Sequence, residues 1–281
     1  MAISPVLVGA TLGFERTGRV DTVVALLVFG AALLMHVITN LQNDVGYTVR
    51  GGETRGTRSG LLRATANGWL SVRQVRLGIV VVSVVAVGFG LGLVAYRGWP
   101  VLLIGSLSLL AALAYMCGPL PIAYTPLGEL TVFLFFGLVA VLGTDWVLTG
   151  SIGAVSVLAA VAIGGRAAAA LAVNNHRDIS HDRSMGRQTF DVRYGERASH
   201  QLVSMLLLFP FLLVPMMAVI ANAIALLVPL LLLPAAWALR QDFMASAPGR
   251  VYNLILFRTF RLNLWFAALL SAAALLGRFL G

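Results

Sequence analysis

The 281 residues are 59% hydrophobic and only 11% charged, with a mean hydropathy of +0.91, and apolar runs of about 20 residues recur along the chain; this excludes an ordinary soluble domain, which carries about 25% charge, and implies an all-α polytopic membrane bundle. All 20 basic residues are arginine, against 11 acids, for a net charge of +9 and a pI near 10.9. The arginines fall between apolar helices rather than in a basic patch of a soluble domain, which argues against nucleic acid and for phosphate ligands and anionic membrane lipid.

Nine membrane helices are expected, at 2–14, 22–42, 75–96, 100–117, 127–148, 151–174, 201–220, 222–239 and 254–279. The first is shorter than the roughly 20 residues of a full crossing, which suggests a missing or degenerate N-terminal stretch. Residues 1–14 lack a basic flank and do not read as a cleaved signal peptide. With the loop after the second helix placed in the cytoplasm, 15 of the 20 arginines are cytoplasmic. Arg16, Arg19, Arg97 and Arg278 face the other side and Arg166 lies within the sixth helix. This asymmetry predicts a multi-pass protein of the cell inner (plasma) membrane with its polar loops on the cytoplasmic side.

Three polar segments share that side. The first opens with Asn43 and Asp44 after the second helix, continues through Tyr47 and Glu53 to Arg63, and holds five glycines between positions 46 and 60. These glycines let backbone amides approach an anion. The second segment, Tyr115 to Glu129, contains three prolines, which prevent a continuous helix. Tyr115 and Tyr124 flank it, and Glu129 opens the fifth helix, where an acid needs a partner or a role. The third, Asn174 to Gly195, is the densest polar stretch. Asp178 and Asp182 stand at i, i+4, which places both carboxylates on one helical face and favours a hard cation between them. Arg177, Arg183 and Arg187 add donors, and divalent metal with arginine is equipment for holding a diphosphate. The parallel between Asn43/Asp44 and Asn174/Asn175/Asp178 suggests one domain over 1–281 with a pseudo-repeat of 1–150 and 151–281.

Other residues read more plainly. Cys117, the single cysteine, excludes an intrachain disulfide and reads as a small buried packing residue. His36, His176, His181 and His200 lack the converging ligands of a zinc site. Asp145-Trp146 reads as an interface anchor. Arg166 is eight residues before Asn174, roughly 12 Å deeper, and is expected to face the cavity or an acid such as Asp145 or Glu129.

These motifs resemble the UbiA-type intramembrane prenyltransferases, and within them the 1,4-dihydroxy-2-naphthoate polyprenyltransferases of menaquinone biosynthesis. The likeness is carried by Asn174, Asn175, Arg177, Asp178, Asp182, Gly186, Arg187 and Thr189, by Val192, Arg193, Gly195 and Glu196, and by the segment from Tyr115 through Pro121, Tyr124 and Glu129 to Phe136. The first motif departs from the pattern: Tyr47 stands where the family usually has an acid, and Glu53 where it has aspartate. The resemblance implies about nine transmembrane helices around a central cavity opening to the cytoplasmic side. It implies Mg2+ held by Asp44, Glu53, Asp178 and Asp182, a polyprenyl diphosphate donor and an aromatic acceptor. Asn43, Asn174, Arg63, Arg177, Arg183 and Arg187 would hold the diphosphate. Tyr115, Tyr124, Glu129 and Arg166 would lie near the acceptor, with Asp44, Asp178, Asp182 and Glu129 catalytic. Another acceptor, or cyclisation of the prenyl chain, would fit the same fold. A transporter fits less well, because the polar clusters lie on one face rather than at mid-membrane.

Overall fold

A computed structural model describes residues 1–51, 60 and 63–280. Helices occupy each of the nine expected stretches: α1 (Ile3–Thr17), α2 (Thr22–Val49), α3 (Val72–Arg97), α4 (Trp99–Ala114), α5 (Gly128–Thr149), α6 (Ala154–Arg177), α8 (Phe190–Ala221), α9 (Ile224–Ala245) and α10 (Tyr252–Leu280). A short helix, α7 (Ile179–Ser184), follows α6. Seven of these are long and apolar enough to cross a membrane, while α4 is apolar but only 16 residues and α1 only 15. Among the described residues, nine membrane crossings are therefore not shown by length, and α1 is short as expected.

Local chemistry sets the boundaries. Asp21 caps α2 by accepting from the Val23 and Val24 amides at 2.9 and 3.1 Å, and Ser71 with Gln74 forms a capping box at the start of α3. Three helices run further into the polar segments than hydropathy alone implies. α2 reaches Val49, so Asn43, Asp44 and Tyr47 sit on its last two turns rather than in a loop. α6 reaches Arg177, and α8 starts at Phe190, eleven residues earlier than expected. Within α8 the chain bends at Gly195, whose φ of 82° few other residues adopt.

The core is built on α6. Ala159, Ala160, Ala162, Ile163 and Ala167 to Ala170 are all buried, and their small side chains admit α5, α8 and α10 at short range. The closest approach is Gly137 of α5 against Gly164: a Cβ on Gly137 would lie 2.6 Å from both the Gly164 Cα and the Ala160 carbonyl oxygen. Helices α3 and α4 are peripheral, with Val80, Val81, Val84, Leu102, Leu103 and Leu107 exposed. Such a surface suits lipid, and its exposure reverses the soluble pattern.

Polar contacts collect at the two ends of the bundle. At one end Arg16 pairs with Asp145 at 2.8 Å, and Arg97 donates to the Val147 carbonyl at 2.7 Å. Asp145 is fully buried and also accepts from the Gly153 amide at 3.0 Å. It is thus an ion-paired tie between α1, α5 and α6, not an interface anchor. At the other end Arg50 donates to the Gly118 carbonyl, the Gln188 amide to the Tyr124 carbonyl, and Arg177 to Asn253. These bonds bring the three polar segments together. Cys117, expected to be buried, is exposed at this end, because the prolines around it push the segment out of the bundle.

Candidate functional site

A cavity of about 990 Å3 opens among α1 to α6 and α10. Most of its wall is apolar and includes Val28, Leu91, Leu102, Phe135, Phe136, Trp146 and Phe260. Its polar end is lined by Asn43, Asp44, Tyr47 and Arg63 from the first segment and by Asn174, Asn175, Arg177 and Arg187 from the third, with Tyr115 and Asn253 beside them. An apolar chamber with one charged end matches a ligand that has a greasy tail and an anionic head.

The first segment folds back on its own aspartate. Asp44 accepts the Ala64 and Thr65 amides at 2.8 and 3.0 Å, and the Thr65 hydroxyl as well. That capping returns the chain so that Arg63 lies over the Tyr47 ring, 4.0 Å from its centroid. Glu53, a proposed metal ligand, lies outside the described residues.

In the third segment the helix turns at Asp178 (φ −99°, ψ 10°) before α7 begins. The Asp182 amide still donates to the Asp178 carbonyl at 2.8 Å, so the expected one-turn spacing is kept across the break. Each carboxylate is also paired with an arginine of its own. Asp178 takes two bonds from Arg177, at 2.6 and 2.8 Å, and Asp182 pairs with Arg187 at 2.5 Å. Burial raises the Asp182 carboxyl to about 6, against the lowering effect of Arg187. Arg177 also donates to Asn174 and Asn253, at 2.8 and 3.0 Å. Arg187 donates to the Tyr47 hydroxyl and, through its Nε and Nη2, to the Ala123 carbonyl at 3.0 and 2.8 Å.

Several expected residues are placed differently. Asp178, Asp182, Glu129 and Tyr124 are not among the cavity-lining residues. Glu129 is buried and accepts from the Asn175 side-chain amide at 2.7 Å, so it reaches the cavity through Asn175. Tyr124 carries Arg50 over its ring at 5.0 Å. Arg183 is exposed and does not line the cavity, because its position on α7 turns it outward. Arg166 overturns both expectations made for it. It faces neither the cavity nor, among the described residues, a carboxylate. It is 1% exposed, with its guanidinium 4.5 Å from the Phe266 ring centroid and 5.0 Å from that of Phe211.

Four contributors escape a reading of the sequence alone. Asn253 and Thr65 lie in segments without a motif, and Asn175 acts through a contact 46 positions away. His176 is fully buried, with its Nδ1 at 2.9 Å from the Ser199 hydroxyl and 3.2 Å from Asp191. It ties the end of α6 to α8 and does not line the cavity. Its contacts lie 15 and 23 positions away, so spacing within the polar stretch gave no signal for them.

The fold and this cavity define a multi-pass helical membrane protein with one phosphate-suited end. The chain belongs to the UbiA prenyltransferase family, whose model matches residues 2–250. It is 34% identical over 204 residues to the 1,4-dihydroxy-2-naphthoate octaprenyltransferase of Escherichia coli (strain K12), covering 70% of this chain and 65% of that protein. It is 27% identical over 268 residues to UbiA prenyltransferase domain-containing protein 1 of Danio rerio, covering 94% and 76%. The chain thus spans somewhat under two thirds of the length of the bacterial relative, at 65%. Among solved structures, a UbiA homologue from Archaeoglobus fulgidus bound to GPP and Mg2+ has the same fold, with a TM-score of 0.67 at 15% identity over 97% of this chain and 95% of that one.

Proposed function

We propose that this protein transfers a polyprenyl group from its diphosphate to an aromatic acceptor, 1,4-dihydroxy-2-naphthoate, in the formation of menaquinone. The observation that carries the reading is the cavity: one wall for a long apolar chain, and one end where amides and arginines from both motifs meet beside the Asp44 carboxylate. The naphthoate acceptor is supported by the relatives that bear that name, at 29–34% identity. The arginine distribution supports a plasma-membrane setting with this end in the cytoplasm.

Magnesium fits the donors present. They are hard oxygens, and Asn43 Oδ1 and Asp182 Oδ2 are buried without a hydrogen-bond partner among the described residues. Among the described residues no three acidic, histidine or cysteine side chains converge, but magnesium is usually held by one or two carboxylates together with phosphate oxygens. Asp44, Asp178 and Asp182, with Glu53, would hold it, and when bound it supplies neutralisation of the leaving diphosphate.

The chain's own groups do the rest. Asn43, Asn174, Arg63 and Arg177 grip the diphosphate at the polar end, where negative charge develops as the allylic C–O bond breaks and its electron pair leaves with the diphosphate. The apolar wall, with Phe135 and Phe136, shelters the allylic cation from water. A ring carbon of the acceptor donates a π pair to the cation, then regains aromaticity by losing its proton, or its carboxylate as carbon dioxide. Tyr115, at the cavity surface, and Asn175, backed by Glu129, orient the acceptor beside the reacting carbon. Purified protein in lipid or detergent, given magnesium, polyprenyl diphosphate and dihydroxynaphthoate, should release diphosphate and form a prenylated naphthalene-diol detectable by mass spectrometry. Release of diphosphate without an acceptor adduct would instead support a cyclase.

A further inference from the structure

Arg187 is a phosphate-binding candidate by sequence, yet its donors are committed elsewhere. Nη1 serves the Tyr47 hydroxyl and the Asp182 carboxylate, while Nε and Nη2 both serve the Ala123 carbonyl. It is 3% exposed. Tyr47 is equally buried, at 7%, and its ring carries Arg63 on the cavity side. One guanidinium therefore joins three chain segments: α2 through Tyr47, the 115–129 segment through Ala123, and α7 through Asp182. Tyr47 and Arg187 are 140 residues apart, and their side-chain bond ties α2 to the segment that follows α7, at the polar end of the cavity.

We propose that Tyr47 is a positioning residue: by holding Arg187 against Asp182 it sets the distance between the two motifs, and with it the fit of the groups that grip the diphosphate. This rests on the diphosphate-binding reading above. A phenol suits the task because its oxygen accepts a charge-assisted bond without adding a charge. A carboxylate at the same place would bring a third negative side chain beside Asp44 and Asp182. Hydrogen bonds of this kind to a charged group contribute enough that losing one changes an equilibrium roughly tenfold. Because the bond spans the two walls, the loss falls on their relative placement rather than on one helix alone.

The test removes a single oxygen. Tyr47→Phe keeps the ring that seats Arg63 and deletes the acceptor for Arg187. Spin labels at Val49→Cys, on the end of α2, and Ser184→Cys, on the end of α7, report the distance between the motifs in a Cys117→Ser background; both sites are at the exposed end. The parent should give one narrow distance distribution, and Tyr47→Phe a broadened or shifted one. Affinity for inorganic diphosphate, measured by titration calorimetry with magnesium present, should fall roughly tenfold. The Michaelis constant for the prenyl diphosphate should rise by a similar factor, with that for the aromatic acceptor unchanged. Should Tyr47→Phe fail to fold, Arg187→Gln with Asp182→Asn, which removes the bond from the other side without stranding a charge, takes its place with the same expected broadening. An unchanged distance distribution with unchanged diphosphate affinity overturns the proposal. The distance and binding arms need no turnover, so a wild type that binds diphosphate but transfers no prenyl group counts against the proposed function and leaves this inference standing or falling on its own.

Discussion

Arg166 is the clearest place to test the energetics of the fold. Its guanidinium is fully buried between Phe211 and Phe266, with one long bond to the Leu207 carbonyl at 3.4 Å, and its Nε and Nη2 have no partner among the described residues. Two ring contacts give back about 1–4 kcal/mol together. Against them stand two unsatisfied buried donors, at about 1–3 kcal/mol each, and several kcal/mol for taking the charge out of water. Replacing the side chain by an apolar one of similar length removes both sides of this balance, and the costs are the larger. Arg166→Met should therefore stabilise the protein by about 1–3 kcal/mol, read as a higher midpoint of thermal unfolding in detergent. Because Arg166 does not line the cavity, the Michaelis constants for both substrates should stay within twofold, roughly the scatter expected of a distant substitution. A loss of several degrees in the midpoint would refute the balance of terms. A selective rise in the Michaelis constant for the aromatic acceptor would show that the residue reaches the cavity after all.

Four further outcomes follow from the site and the packing around it. Asp178→Asn should lower turnover by at least about 100-fold, as loss of a metal or charge-stabilising group does, and should also lower the melting midpoint, because it takes the counter-charge from the buried Arg177. Asp182→Asn should lower turnover similarly and cost about 3–5 kcal/mol, because it strands the buried Arg187 without its counter-charge; an unchanged melting midpoint in both variants would contradict the pairing described. Burial places the Asp182 carboxyl near 6, and only its ionised form attracts magnesium. The magnesium concentration for half-maximal activity should therefore rise as pH falls from 7.5 to 5.5, and a pH-independent requirement would remove Asp182 from the metal site. Gly137→Val should destabilise by more than about 3 kcal/mol, since its Cβ would lie 2.6 Å from α6 backbone atoms that cannot move aside; normal expression and melting would show that α5 and α6 separate more easily than their contact implies.

Much of this architecture was legible in the residues themselves. The nine apolar stretches are helices because nothing else satisfies backbone groups in a bilayer. The arginine asymmetry likewise anticipated that the three polar segments meet at one end. What could not be read was how charges pair once there. The i, i+4 spacing of Asp178 and Asp182 places their carboxylates one turn apart, but spacing alone carries no information about Arg177 and Arg187, which pair with one carboxylate each. The depth of Arg166 implies the cavity or an acid partner; the aromatic sandwich of Phe211 and Phe266 is not legible because it is assembled from residues 45 and 100 positions further along. Asp44 and Tyr47 looked like loop residues because hydropathy falls before the α2 hydrogen bonds end. Asp145 looked like a surface anchor for the opposite reason: its partner, Arg16, is 129 positions away.

The central claim is that both motifs grip one diphosphate at the polar end of an apolar cavity and pass its prenyl group to an aromatic ring. Its most direct test is mass spectrometry of the products formed by the purified protein from polyprenyl diphosphate and 1,4-dihydroxy-2-naphthoate with magnesium, run beside Asp44→Asn and Asp178→Asn. The account predicts a prenylated naphthalene-diol and equimolar diphosphate from the wild type, and neither from the two variants. Adduct formation undiminished in both variants, or no adduct from a folded wild type that binds both substrates, would contradict it.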